Sequence, residues 1–154
     1  MRLSKNFTLA EVIESQTGER NGIDNTPDAS SLANLQFLFE NLVQPIRDKF
    51  GPTIISSGYR CPKLNRAIGG ALNSQHVLGQ AADLKFVNVD KLEVARWILS
   101  SGLKFDQVIL EAYDPADIRK GWLHVSLTRG INRMQVLTAN FVLGKAQYSK
   151  GLPQ

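Results

Sequence analysis

Apolar residues in this chain follow two rhythms. Within "NTPDASSLANLQFLFENLVQPIRDKFG", residues 25–51, Leu32, Leu35, Phe39, Leu42 and Ile46 recur every three or four positions, the spacing of one helix face. Thr26 stands at an N-cap position, Pro27 suits a first turn, and Gly51 closes the segment. Pro45 is expected to bend the last turns, because its nitrogen has no hydrogen to donate. A short helix is expected over "TLAEVIES", where Thr8 and Glu11 have the spacing of a capping box, and another over "VDKLEVARWILSSG", closed by Gly102.

The second rhythm has a period of two. "PTIISSGYR" reads as a strand running into a loop, and "ADLKFV" as another strand. "DQVILEA" and "WLHVSL" flank the turn-rich "YDPADIRKG" and read as a hairpin. If Val108 and Leu110 share the core face with Leu123, Val125 and Leu127, alternation sends Gln107, Ile109 and Glu111 to the opposite face. Trp122, His124 and Ser126 join them there. Alternation alone thus places a carboxylate beside a histidine. These elements predict an α+β domain, with a small, mainly antiparallel sheet flanked by helices. Residues 1–140 are expected to form a single domain and 141–154 a C-terminal extension or tail.

Composition narrows the picture. A chain of 154 residues that is 43% hydrophobic can bury one real core. No apolar run approaches the roughly 18 residues of a membrane span. "MRLSKNFTLAEVIESQTGER" has neither the apolar stretch nor the cleavage site of a secretory signal, so synthesis in the cytoplasm is expected. A single cysteine, Cys61, excludes an internal disulfide framework. Arg119, Lys120, Arg129, Arg133, Lys145 and Lys150 follow Asp117, and no acid does. This basic end reads as a solubilising surface. Without an aromatic-rich basic cluster, a nucleic-acid partner is not expected.

Candidate chemistry centres on the two histidines. There is no H-E-x-x-H, which excludes a helix-borne zinc site of that type. His76, Asp83 and His124 offer two imidazoles and a carboxylate, a set that suits zinc with its fourth position open. Gly79, Ala81 and Ala82 permit a tight passage from the His76 loop into the strand carrying Asp83. On spacing alone, an ordinary hydrogen-bonded loop histidine is the favoured reading of His76. Cys61 beside Arg60 invites a thiol nucleophile, although an unpaired cysteine is more often buried and inert.

Several motifs in order resemble a family. "SSGYRCPKLNRAIGGALNSQHVLGQAADL" and the later "GWLHVSL" are similar to the zinc peptidases of the D-alanyl-D-alanine carboxypeptidase and L-alanyl-D-glutamate endopeptidase group. That group shares its metal site with the lysostaphin and hedgehog folds. The S-x-H-(six residues)-D and W-x-H signatures fall on Ser74, His76, Asp83, Trp122 and His124, and S-G-Y-R falls on Ser57 to Arg60. The resemblance spans roughly residues 3 to 130. Its "FTLAEVIESQTG" and "GIDNTP" resemble the phage and prophage branch.

The resemblance implies Zn2+ held by His76, Asp83 and His124. It implies Arg60 as the group that stabilises the oxyanion or holds a substrate carboxylate, and Ser74 as a substrate contact. Gln75 and Trp122 are expected to line the cleft. Many members carry an acid three residues before the last histidine, where this chain has Gly121. Glu111 is the expected replacement as general base, with Asp114 and Asp117 in reserve. The implied activity is hydrolysis of a peptide bond in the peptidoglycan stem or cross-link, of the endolysin type. The alternatives are a D-Ala-D-Ala carboxypeptidase and a non-catalytic zinc-containing phage structural or cell-wall-binding module. Peptidoglycan stem peptides are the expected partners of a monomer, reached in the periplasm after lysis-protein-mediated release.

Overall fold

A computed structural model describes all 154 residues. The chain opens with β1 (Arg2–Ser4) and β2 (Phe7–Thr8), which pair with each other, followed by helices α1 (Leu9–Ile13) and α2 (Gln16–Arg20). Thr8 and Glu11 form the expected capping box at α1. Helix α3 (Ala29–Leu38) runs through a π-helical turn, Phe39–Val43, into α4 (Gln44–Phe50).

The continuous helix expected over this segment needs two corrections. Its N-cap is Asp28, whose Oδ1 accepts the Ser31 N–H at 2.7 Å. Thr26 instead donates its own N–H and hydroxyl to Asp24 Oδ1 at 3.0 and 2.6 Å. A carboxylate is both a stronger acceptor and a better match to the helix dipole than a hydroxyl. Ahead of Pro45, the Gln44 N–H reaches back five residues to Phe39 O. The widened turn makes room for a residue that cannot donate. Leu35, Phe39, Leu42 and Ile46 are nevertheless fully buried, so the helical stripe survives the π turn.

The remaining elements are β3 (Thr53–Ser57), α5 (Pro62–Ala67), a 3-10 turn (Gln75–Leu78), β4 (Ala81–Phe86) and α6 (Lys91–Ser100). Four strands follow: β5 (Gln107–Glu111), β6 (Trp122–Ser126), β7 (Gln135–Val142) and β8 (Lys145–Lys150). None of the helices is long and apolar enough to cross a membrane.

The main sheet is larger and less uniform than the small antiparallel one expected. It has six strands in the order β3-β4-β6-β5-β7-β8, and β7 runs parallel to β5. The extra pair is a hairpin over residues 135–150, which carries much of the segment 141–154, expected as an extension or tail, into the sheet. Leu143 (φ 52°) and Gly144 (φ 77°) both occupy the left-handed region, as the tight turns that match strand twist require. Leucine at the first of these positions hides the turn from a reading of residue types.

The faces of the sheet divide as alternation predicts. Leu84, Val108, Leu110, Leu123 and Val125 are fully buried in one cluster with Leu38, Phe39, Leu42, Val94 and Ile98 of the helices. Truncating one of these leucines to alanine costs about 2–5 kcal/mol. Register pairs Gln107 with Ser126, Ile109 with His124 and Glu111 with Trp122 on the other face. That face forms the floor of a cleft.

Candidate metal centre

Three elements converge on the cleft. Strands β4 and β6 bring Asp83 directly opposite His124. His76 enters from the 3-10 turn, where Ser74 Oγ accepts the His76 N–H at 3.2 Å. Gly79 ends the turn at φ 73°, and a Cβ there would meet Ser31 O at 2.4 Å. Only glycine combines that conformation with that approach.

His76 is 3% exposed, and its ring orientation is determined by one bond. Nδ1 lies 2.7 Å from the Gly58 carbonyl, which can only accept, so Nδ1 carries the proton and Nε2 presents a lone pair. That Nε2 lies 3.4 Å from Asp83 Oδ1, and His124 Nδ1 lies 3.0 Å from the same oxygen. The imidazole centroids are 5.3 Å apart. Burial pushes the Asp83 carboxyl up, yet its close contacts with the His124 and His76 imidazoles outweigh it and hold the group well below the usual carboxylate range. One potential ligand atom from each residue falls within 4.8 Å of the others, so His76, Asp83 and His124 can hold a metal ion. Two imidazole nitrogens and a carboxylate oxygen fit a borderline-soft divalent cation with one position left open.

The other candidate residues surround this group in a cleft of about 700 Å3, which Arg60, Ser74, Gln75, Glu111 and Trp122 all line. Arg60 follows β3, and its Nη2 donates to Ser74 Oγ at 3.2 Å. Its Nε is buried without a partner. Burial draws the Arg60 guanidinium below its ordinary value, while the charges of Asp83 and Glu111 oppose the shift. Gln75 donates Nε2 to Asp106 Oδ2 at 3.0 Å, leaving its buried Oε1 unpartnered.

Glu111 ends β5 and is 9% exposed; its Oε2 accepts Trp122 Nε1–H at 2.8 Å. Burial raises the Glu111 carboxyl above its ordinary value, and the Asp83 charge adds to this, against the charge of His124. Gly121, three residues before His124, sits at φ 76°, and a Cβ there would lie 2.3 Å from Glu111 O. This backbone therefore excludes a side chain at 121. Neither reserve base reaches the cleft: Asp114 pairs with Lys120 at 3.4 Å and Asp117 with Arg119 at 3.1 Å, within their own loop. Cys61 is buried at the start of α5, where its Sγ accepts the Leu64 N–H at 3.4 Å, so the thiol takes no part in the cleft.

Arg133, Phe141 and Tyr148 are among the lining residues that escaped the sequence reading. Arg133 binds buried Asp106 with Nη2 at 2.7 Å, which in turn holds Gln75. Phe141 and Tyr148 arrive on the C-terminal hairpin. The signal for Phe141 was the alternation in "QVLTANFV", masked by the absence of a recognisable turn.

Curated proteins yield no match to the chain. A family model, peptidase M15, matches residues 5–114, which contain His76, Asp83, Arg60 and Glu111. The match stops short of β6, and the strand register supplies His124 to the group. With well over half of its length matched, the chain belongs to the peptidase M15 family.

Proposed function

We propose that this M15 peptidase is a zinc-dependent murein endopeptidase of the endolysin type, cutting a peptide bond in the peptidoglycan stem or cross-link. The observation that carries the reading is the approach of His76 Nε2 and His124 Nδ1 to Asp83 Oδ1, with the Glu111 carboxyl in the same cleft. When bound, zinc supplies Lewis acidity, which acidifies water and polarises a carbonyl.

The side chains divide the remaining work. Glu111, with its affinity for a proton raised by burial, takes one from the attacking water and passes it to the leaving amine. The free Nε–H of Arg60 is a fixed donor for the oxygen on which charge develops, or for a stem carboxylate. Ser74 and the unpartnered Gln75 Oε1 orient substrate amides. Trp122 holds Glu111 in place and covers it.

The cleft's extent supports an internal cut. A second groove, of about 500 Å3 and lined by Thr17, Arg20 and Ser56, shares Arg60 and Ile68 with the first. A chain running past Arg60 has room on both sides, whereas trimming a terminal D-Ala needs only one. On this reading the substrate is the cell wall in the periplasm, reached once lysis proteins breach the membrane.

The test is incubation of purified muropeptides with wild type, His76→Ala and Glu111→Gln, followed by mass spectrometry of the products. The reading requires new amino termini within the stem or cross-link from wild type and none from His76→Ala. Release of free D-Ala alone would make the protein a carboxypeptidase. Zinc bound without turnover would make it a binding module.

A further inference from the structure

The C-terminal hairpin builds one wall of the cleft yet holds none of the groups assigned to proton transfer or metal binding. Register pairs Trp122 with Glu111, Glu111 with Ala139 and Ala139 with Tyr148, so these side chains form one row across four strands. Phe141 lies two residues further along β7 on the same face, and its ring centroid is 5.7 Å from that of Trp122 at an interplanar angle of 44°. Phe141 and Tyr148 remain 44% and 58% exposed while lining the cleft. Grouped aromatic faces left in water beside a cleft mark a contact surface.

The two ends of the cleft differ in chemistry. Arg60 stands at the β3 edge of the sheet, where a stem carboxylate finds a guanidinium. The aromatic wall stands at the β8 edge, and Asn73, Ser74 and Gln75 line the same cleft with neutral amide and hydroxyl groups. Aromatic faces together with neutral hydrogen-bonding groups suit a sugar: the C–H face of a pyranose packs on a ring, and its hydroxyl and acetamido groups bond to amides. A stem peptide offers methyl groups, a flexible diamino-acid chain and carboxylates, none of which presents a rigid ring face to such a wall.

We propose that Trp122, Phe141 and Tyr148 form a glycan subsite, which holds the amino-sugar ring carrying the stem peptide beside the bond to be cut. The proposal rests on the peptidoglycan reading and adds a specificity element to it. Tyr148 is its most accessible member and the one farthest along the row from the metal group.

The test compares a disaccharide-linked tetrapeptide with the same free tetrapeptide. For wild type, kcat/KM on the sugar-bearing form should exceed that on the free peptide by about tenfold, the order of one good aromatic contact. Tyr148→Ala should bring the ratio towards one, and Tyr148→Phe, which keeps the ring, should preserve it. If neither compound is cleaved, the endopeptidase reading fails on its own, and calorimetric titration of the two uncut ligands must give the same ratio in Kd. Equal values for both ligands in wild type would overturn the subsite, as would an unchanged ratio in Tyr148→Ala. So would sedimentation of a wild-type dimer that Tyr148→Ala dissociates, because the wall would then be a self-association surface.

Discussion

Asp83 and His124 face each other on neighbouring strands, with Asp83 Oδ1 3.0 Å from His124 Nδ1, and His76 Nε2 meets the same oxygen at 3.4 Å. Two imidazoles thus share one carboxylate oxygen, and a cation among them would satisfy all three. Asp83→Asn keeps the shape and removes the charge. Zinc affinity, measured by competition with a chromogenic chelator, should fall at least about 100-fold, the upper end of what losing even a ligand's hydrogen-bond partner costs. An unchanged affinity would remove Asp83 from the set.

Glu111→Gln preserves an acceptor for Trp122 but cannot carry a proton. kcat should fall by about 10²–10⁴-fold while zinc content stays that of wild type. If kcat survives with zinc in place, the base lies elsewhere.

The same carboxyl links activity to stability. Its folded pKa is raised, so the native state holds this proton more tightly than the unfolded chain. Its contribution is therefore fully present at pH below the unfolded carboxyl value and is lost as pH rises through the folded one. For metal-free protein, Glu111→Gln should melt higher than wild type at pH 7, and the difference should disappear near the acid end of the carboxylate range. A lower melting temperature for Glu111→Gln at pH 7 would contradict the assigned cause.

Arg60→Lys retains the charge but loses the Nε–H and the planar fork. If Nε serves the developing oxyanion, kcat should drop by about 10²-fold with KM nearly unchanged. A rise in KM alone would assign Arg60 to a substrate carboxylate.

Gly121→Ala tests whether the backbone at 121 excludes a side chain. With φ at 76° and a Cβ 2.3 Å from Glu111 O, alanine should cost about 1–3 kcal/mol, read as a lower denaturant midpoint. Gly121→Glu should not restore activity to Glu111→Gln, because the backbone at 121 would have to move to admit it.

Much of this arrangement is legible in residue order, and the rest fails for identifiable reasons. Alternation in "VILE" and "WLHVS" places Glu111, Trp122 and His124 on one face, and the ladder agrees. The pairing of β4 with β6 is not local, so no spacing in the chain reveals that Asp83 stands opposite His124. The partner that orients His76 is the Gly58 carbonyl, a group every residue possesses and no sequence marks. The hairpin went unseen because Leu143 occupies a turn position that asparagine or glycine usually signals. Missing the hairpin meant missing Phe141 and Tyr148. The helix over residues 25–51 was recognised by its stripe, while the π turn before Pro45 and the choice of Asp28 over Thr26 as cap depend on local geometry.

An anomalous-difference map collected at the zinc edge, from crystals grown with one equivalent of Zn2+, addresses the metal centre itself. The account requires a single strong peak in coordination contact with His76 Nε2, Asp83 and His124 Nδ1. A map with zinc elsewhere on the protein and no density among these three side chains would contradict it.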